Sequence, residues 1–196
     1  MAGPRLAAME RLIAALRGIW SQEPDLERRM RLAKPALELA LSDGALLARS
    51  KSWPFTVGQN LLFYEDPDYG FALNATVRPA GSRGAVHDHA HAWTLYGLLD
   101  GSEQIERYER LDDGTRAGHA ELKRVSNLTF GPGMIDVVPP YEIHAERGGP
   151  GRSVAIIIRS ERLVGRTLQH GFDPQAQTVR DMHGPTQVPY ELDAAE

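Results

Sequence analysis

Gly84-Ala-Val-His87-Asp-His89-Ala-His91-Ala-Trp93 and, far along the chain, His144 are the residues with the most chemistry in them. Neutral imidazoles bind divalent metals. Side chains on a strand alternate with period 2, so His87 and His89 on one strand share a face. A third histidine from a distant strand closes such a pair into a metal site when the sheet rolls into a barrel. Ligands gathered on one side of a metal leave the opposite positions open to substrate and oxygen. Four of the seven histidines fall at these places, which points first to a metal enzyme.

The chain around these residues is ordinary. Its 196 residues predict a single domain over 1–196 with a real hydrophobic core. A formal charge of -4 and scattered arginines give no basic footprint for nucleic acid. With no cysteine there is no disulfide, thiolate ligand or cysteine nucleophile, and the composition suits a reducing compartment, so a cytoplasmic protein is expected. The opening Met-Ala-Gly-Pro-Arg-Leu leads into an amphipathic pattern, so no signal peptide is expected. No run approaches the roughly 20 apolar residues of a membrane span. The expected partners are small molecules, with no nucleic acid and no membrane, on a monomer or homodimer.

The positioning elements read in three parts. Residues 1–50 are helical: Leu6, Met9, Leu12, Ile13, Leu16, Ile19 and Trp20 form one apolar stripe at helical spacing. Ser21 is placed to cap a second helix with Pro24 in its first turn, Pro35 to kink or restart it, and Ser42-Asp43-Gly44 to end it. This segment is expected to cap one mouth of a sheet. Residues 57–160 carry short strand runs: 59–64, 71–78, 85–99, 102–111, 120–130, 134–138, 142–145 and 153–159. Turn signals separate them, with Asp100-Gly101 the strongest hairpin signal. Many short strands favour a barrel or jelly roll. Residues 161–196 are expected to wrap the barrel as irregular, polar chain.

His87-x-His89, Gly101 twelve residues later and Pro139-Pro140-Tyr141-Glu142-Ile143-His144 resemble the two motifs of the cupin superfamily over roughly residues 57–160. The resemblance implies a mainly β fold, the cupin double-stranded β-helix, with a helical cap. Cupins usually place a glutamate ligand four or five residues after the second histidine, where this chain has Trp93 and Thr94. Its loss, with His-Asp-His and Trp93, resembles the thiol dioxygenase branch, cysteine dioxygenase and 3-mercaptopropionate dioxygenase. That implies Fe(II) held by His87, His89 and His144, and a thiol oxidised by O2 to a sulfinate. Three neutral imidazoles leave the metal its full charge for a bound thiolate. Family spacing places His91 beside the pocket with Trp93, while strand alternation also permits it as a ligand.

The chain departs from that branch in places that touch the substrate. Gln59 aligns with the branch's substrate-binding arginine or glutamine, by an alignment that needs an insertion before His87. The branch's last strand carries Ser-x-His-x-Tyr, a proton relay; here the three places hold Ala155, Ile157 and Arg159. Isoleucine moves no proton and arginine stays charged. Arg159 is either a carboxylate clamp or a strand end in solvent. Tyr96 and Tyr141 are the candidates to replace the missing phenol, and Tyr96 is the one assigned a catalytic part. The alternative function is a cupin enzyme using iron, manganese, nickel or zinc on a non-thiol acid or phenol, or a non-catalytic cupin that binds a metal or small molecule.

Overall fold

A computed structural model describes residues 6–163 and 165–192. Three helices come first, α1 (Ala7–Gln22), α2 (Leu26–Leu41) and α3 (Gly44–Ser50). Twelve strands follow: β1 (Gln59–Glu65), β2 (Ala72–Arg78), β3 (Val86–His87), β4 (Thr94–Asp100), β5 (Glu103–Arg110), β6 (Leu122–Phe130), β7 (Ile135–Val138), β8 (Ile143–Gly148), β9 (Ser153–Arg159), β10 (Gln169–Asp173), β11 (Thr178–Met182) and β12 (Thr186–Pro189).

They form two six-stranded sheets, ordered β12-β1-β2-β9-β4-β7 and β11-β10-β3-β8-β5-β6. From β2 to β9 the chain changes sheet at every step except the β5–β6 hairpin, and the antiparallel neighbours run β2-β9-β4-β7 and β3-β8-β5-β6. That strand order is a jelly roll, so the cupin-type double-stranded β-helix expected from the sequence is the fold.

β9 explains how the layers stack. Ser-Val-Ala-Ile-Ile-Ile-Arg is buried along its whole length, so both its faces need cover. Ala155 and Ile157 turn inward, packing with Tyr96, Leu98, Ile105 and Phe130 between the sheets. Val154, Ile156 and Ile158 turn outward and meet the helices in the larger core. The stripe of α1 supplies Met9, Leu12, Ile13, Leu16 and Trp20 to that core, and the Trp20 ring stands 5.0 Å from that of Phe71. α2 lies so close on β4 that a Cβ at Gly97 would sit 2.7 Å from Leu41 Cδ1. The helices therefore cover the outer face of the first sheet rather than a mouth of the barrel.

Local chemistry corrects several boundaries. Asp25, not Ser21, caps α2 by accepting from the Arg28 N–H at 2.8 Å, and Pro24 stands just before the helix. Ser21 belongs to α1, where its hydroxyl donates to the Gly18 carbonyl at 2.9 Å. Pro35 lies inside an unbroken α2; the carbonyl that its ring deprives of a donor belongs to exposed Arg31, which water can serve. The run 85–99 is not one strand: β3 stops at His87 and a turn, with Ala90 at φ 49°, intervenes before β4. The hairpin expected at Asp100-Gly101 does not form: Gly101, at φ 79°, makes a tight turn that carries the chain from β4 in the first sheet to β5 in the second, and the two strands do not pair. The segment read as irregular after Gly165 supplies three strands: β10 pairs with β3, β11 with β10, and β12 lies parallel to β1.

Candidate metal centre

His87 ends β3 directly opposite His144 of β8, and Arg107 of β5 shares the row. His89 comes from the turn beyond β3, so strand alternation does not by itself explain its direction. Asp88 does. Its buried carboxylate accepts from the Ala90 N–H at 3.0 Å, from the His170 N–H at 3.0 Å and from His170 Nδ1 at 2.8 Å. The turn is thereby anchored to β10, and Ala90 returns a carbonyl to the Tyr141 N–H at 2.7 Å in the loop leading to His144.

The three imidazoles stand with ring centroids 4.9, 4.4 and 4.7 Å apart, and one nitrogen from each lies within 4.8 Å of the others. His87 Nδ1 donates to the Ala85 carbonyl at 3.1 Å, and His144 Nδ1 to the Glu142 carbonyl at 2.9 Å. Those bonds leave each Nε2 with a lone pair and fix the ring's orientation, the usual support of a metal-bound imidazole. Nε2 of His144 is buried without any partner, and Nε2 of His87 and His89 are 3.1 Å apart. Two nitrogens at right angles on a metal, each bonded at about 2.1 Å, are spaced about 3.0 Å. Burial lowers the pKa of all three rings, that of His144 to about 3, so they are neutral at pH 7. The donor set fits a divalent metal ion and does not choose among iron, manganese, nickel and zinc.

His87 and His89 of this cluster line a cavity of about 280 Å³ together with Thr94, Tyr96, Glu146 and Arg159. Arg159 points inward in the row Ala72–Arg159–Thr94, is 7% exposed, and has neither Nε nor Nη1 bonded. It forms no ion pair with an acid among the described residues. Burial lowers its pKa to about 10, partly opposed by Glu146, which leaves it charged at neutral pH. Thr94 Oγ1 beside it is also buried and unbonded. Of the two meanings of Arg159, the strand end in solvent is excluded.

Glu146, two residues beyond His144 on the same face, was not singled out in the sequence. Its Oε1 stands 3.7 Å from His144 Nε2 and its Oε2 accepts from Arg78 at 3.1 Å. Burial alone would raise its carboxyl pKa; Arg78 foremost, with the two imidazoles, brings it down to about 2. Arg78 also donates to the Tyr96 hydroxyl at 3.3 Å, and that hydroxyl donates to Glu103 at 2.7 Å. Ser153 donates to the other oxygen of Glu103 at 2.5 Å. A buried polar chain thus runs Ser153–Glu103–Tyr96–Arg78–Glu146 to the edge of the cluster. Burial raises the Tyr96 pKa well above its ordinary value, so the phenol keeps its proton.

The remaining expected site residues separate. Gln59 lines the cavity from an exposed position at the start of β1. Leu61 of that strand packs in the outer core, so the inward-facing residue is its neighbour Asn60, 7% exposed and also in the cavity wall. His91 lies away from the cavity, half-exposed, with Nε2 2.7 Å from Glu161. Trp93 packs against the outer core instead of lining the cavity, and Tyr141 is 61% exposed. The turn at Ala90 breaks the alternation that would have carried His91 and Trp93 inward.

No protein-family model matches the sequence, and no curated protein matches it. Among solved structures, the chain is similar to the cupin domain of Schizosaccharomyces pombe Cnp3 at 12% identity, over 53% of this chain and 60% of that one, with TM-score 0.41. It is similar to a conserved protein with a double-stranded β-helix domain from Klebsiella pneumoniae at 13% identity, over 56% and 79%, with TM-score 0.42. KdgF from Halomonas sp. is similar at 17% identity, over 52% and 76%, with TM-score 0.40. The chain spans less than two thirds of the Cnp3 domain. The fold assignment rests on the strand order of this chain itself, a double-stranded β-helix with a three-histidine cluster inside it.

Proposed function

We propose that this protein is a metal-dependent cupin enzyme that oxidises a small thiol carboxylate to its sulfinate with O2. The observation that supports it most is the unpaired, buried guanidinium of Arg159 in the cavity lined by His87 and His89 of the three-histidine cluster. An uncompensated buried cation is costly, and a substrate carboxylate is the natural partner for its planar fork. His87, His89 and His144 would hold the metal, with Fe(II) the ion the thiol reading requires; when bound, it supplies a redox-active Lewis acid with positions open to thiol and oxygen.

The rest is the work of the chain. Arg159 and Thr94 orient the carboxylate, and Asn60 and Gln59 contact the substrate from the β1 wall. Arg78 holds Glu146 ionised beside the cluster, where its negative charge would offset that of a cation held by the imidazoles. Tyr96, its proton directed to Glu103, keeps Arg78 in place. Ile157 excludes water. In the net reaction sulfur gives up four electrons, both oxygen atoms of O2 end on sulfur, and one proton is released.

The test is oxygen uptake by the Fe(II)-loaded full chain with 3-mercaptopropionate, cysteine and cysteamine, with the sulfinate identified by mass spectrometry. The thiol acid should react best, cysteine weakly and cysteamine least. Arg159→Ala should raise the KM for the acid about ten- to a hundredfold, more than Gln59→Ala does. One observation favours a second reading, a metal-dependent cupin acting on a non-thiol acid: the inward residues Ala155 and Ile157 stand where a thiol dioxygenase relay would be. No uptake with any thiol at full iron loading would overturn the first reading in favour of that one.

A further inference from the structure

The cavity changes character between floor and mouth. At the floor stand the buried polar groups Arg159, Thr94 and His89, with His87 beside them. At the mouth, one side of the rim is apolar: Phe55 is 48% exposed and Val57 83%, and Met182 and Pro185 complete it. These come from two segments, one before β1 and one running from the end of β11 to the start of β12. Parallel pairing of β1 with β12 brings them together, with Gln59 opposite Thr186 and the Thr186 N–H donating to the Gly58 carbonyl at 2.8 Å. The apolar rim is therefore a built wall continuous with the metal cavity. The facing wall, from the β2–β3 connection, carries Ser82 and Arg83.

We infer that this rim is a subsite for an apolar tail, so the substrate is an amphipathic acid: its anionic group lies at Arg159 and an alkyl or aryl part leaves along Phe55, Val57 and Met182. This rests on the assignment of Arg159 above and is independent of whether the reacting group is a thiol. Without a tail, Val57 and Phe55 stand in water. A tail laid along them removes apolar surface of both partners from solvent, worth about a fourfold gain in affinity for each methylene buried. A short polar thiol acid gains nothing there.

The probe is a series of straight-chain alkanoates, propionate to octanoate, titrated calorimetrically into Fe(II)-loaded protein under argon, with dicarboxylates of equal length as the second arm. Affinity should rise about fourfold per added methylene until the tail clears the rim. The double variant Phe55→Ser/Val57→Ser, at positions exposed enough to leave folding intact, should flatten the rise. Arg159→Gln should weaken every acid by a similar factor and keep the slope. A flat series, a slope unchanged in the double variant, or tighter binding of the dicarboxylates would overturn the proposal, the last by assigning the rim to a second anion at Arg83. A retained slope in protein that oxidises no thiol would refute the thiol reading alone; a flat series in protein that does oxidise thiol acids would refute this inference alone.

Discussion

Removing the Asp88 carboxylate should both destabilise the protein and loosen the metal centre, although Asp88 is not one of the clustered imidazoles. Asp88→Ala deletes the acceptor of two backbone N–H groups, those of Ala90 and His170, and of one imidazole N–H. A buried donor left without a partner costs about 1–3 kcal/mol. The half-exposed His170 ring can turn to water, so the two backbone groups set the cost, about 2–5 kcal/mol in all. Against a total stability of about 5–15 kcal/mol that is large, and it corresponds to a melting temperature lower by roughly 4–20 °C. The turn it releases presents His89, so Fe(II) affinity should fall about ten- to a hundredfold, as for other groups that orient a ligand. Asp88→Asn retains an acceptor oxygen for the backbone pair and should lose only about 1 kcal/mol. Urea unfolding of the metal-free variants gives the stabilities, and competition with a chromophoric chelator gives the metal affinities. If Asp88→Ala unfolds and binds metal like the parent, the turn is not what places His89.

Three further outcomes follow from other parts of the molecule. Alanine at His87, His89 or His144 should each abolish stoichiometric metal binding, while His91→Ala should leave it intact because His91 pairs with Glu161 outside the cavity; elemental analysis reads both. Against the effect of burial, the Tyr69 and Asp68 N–H groups, Tyr64 and Arg17 hold the Asp66 carboxyl below its ordinary pKa of 3.8. Its stabilisation is therefore complete above that pH and is lost as pH falls through the lower folded value, so the stability gap between parent and Asp66→Asn should be constant at pH 6–8 and close in acid. Deleting residues 1–50 should expose the outer face of β9 and give aggregated protein, since each fully buried Leu or Ile is worth about 1.5–3 kcal/mol; a monomeric, folded barrel in gel filtration would contradict the packing described.

What the sequence discloses depends on how local the determining physics is. The turn at Asp100-Gly101, the β9 run and the α1 stripe are set by neighbours in the chain and form where expected, but which strands pair is not: β4 and β5, read as a hairpin, part into different sheets. His87, His89 and His144 were legible as a set because motif spacing survives even where the strand does not. His91 and Trp93 were misplaced because one residue at positive φ, Ala90, resets the alternation, and nothing in an Ala-His-Ala context announces that. Gln59 was chosen over Asn60 by a frame difference of one residue, which in a strand exchanges the two faces. β10 to β12 were missed because their short, polar-rich sequences carry no clear apolar alternation; β10 and β12 take their pairing from β3 and β1, more than 80 residues away, and β11 then pairs with β10. Asp88 and His170 are coupled over the same distance. Glu146 was different: period 2 from His144 along β8 places it beside the cluster, and the sequence could have yielded it.

The late strands also set an order of events during synthesis. The β1–β12 and β3–β10 pairings, and the backbone bond from Leu6 to Leu192, tie the earliest parts of the described chain to the last. Leu192 leaves the ribosome 105 residues after His87, since 192 − 87 = 105. At about 5–20 residues per second that is a delay of roughly 5–20 s. For the first 83 residues of it, since 170 − 87 = 83, His87 and His89 are made but Asp88 has no His170 to hold, and the turn between them has no anchor. A nascent chain can offer loose imidazoles to any metal it meets, whereas the ordered three-histidine geometry arises only once the final strands have docked. Any preference among metals at the three-histidine cluster is then expected only once β10 to β12 have docked, so its timing is set by the described segment furthest in sequence from β3.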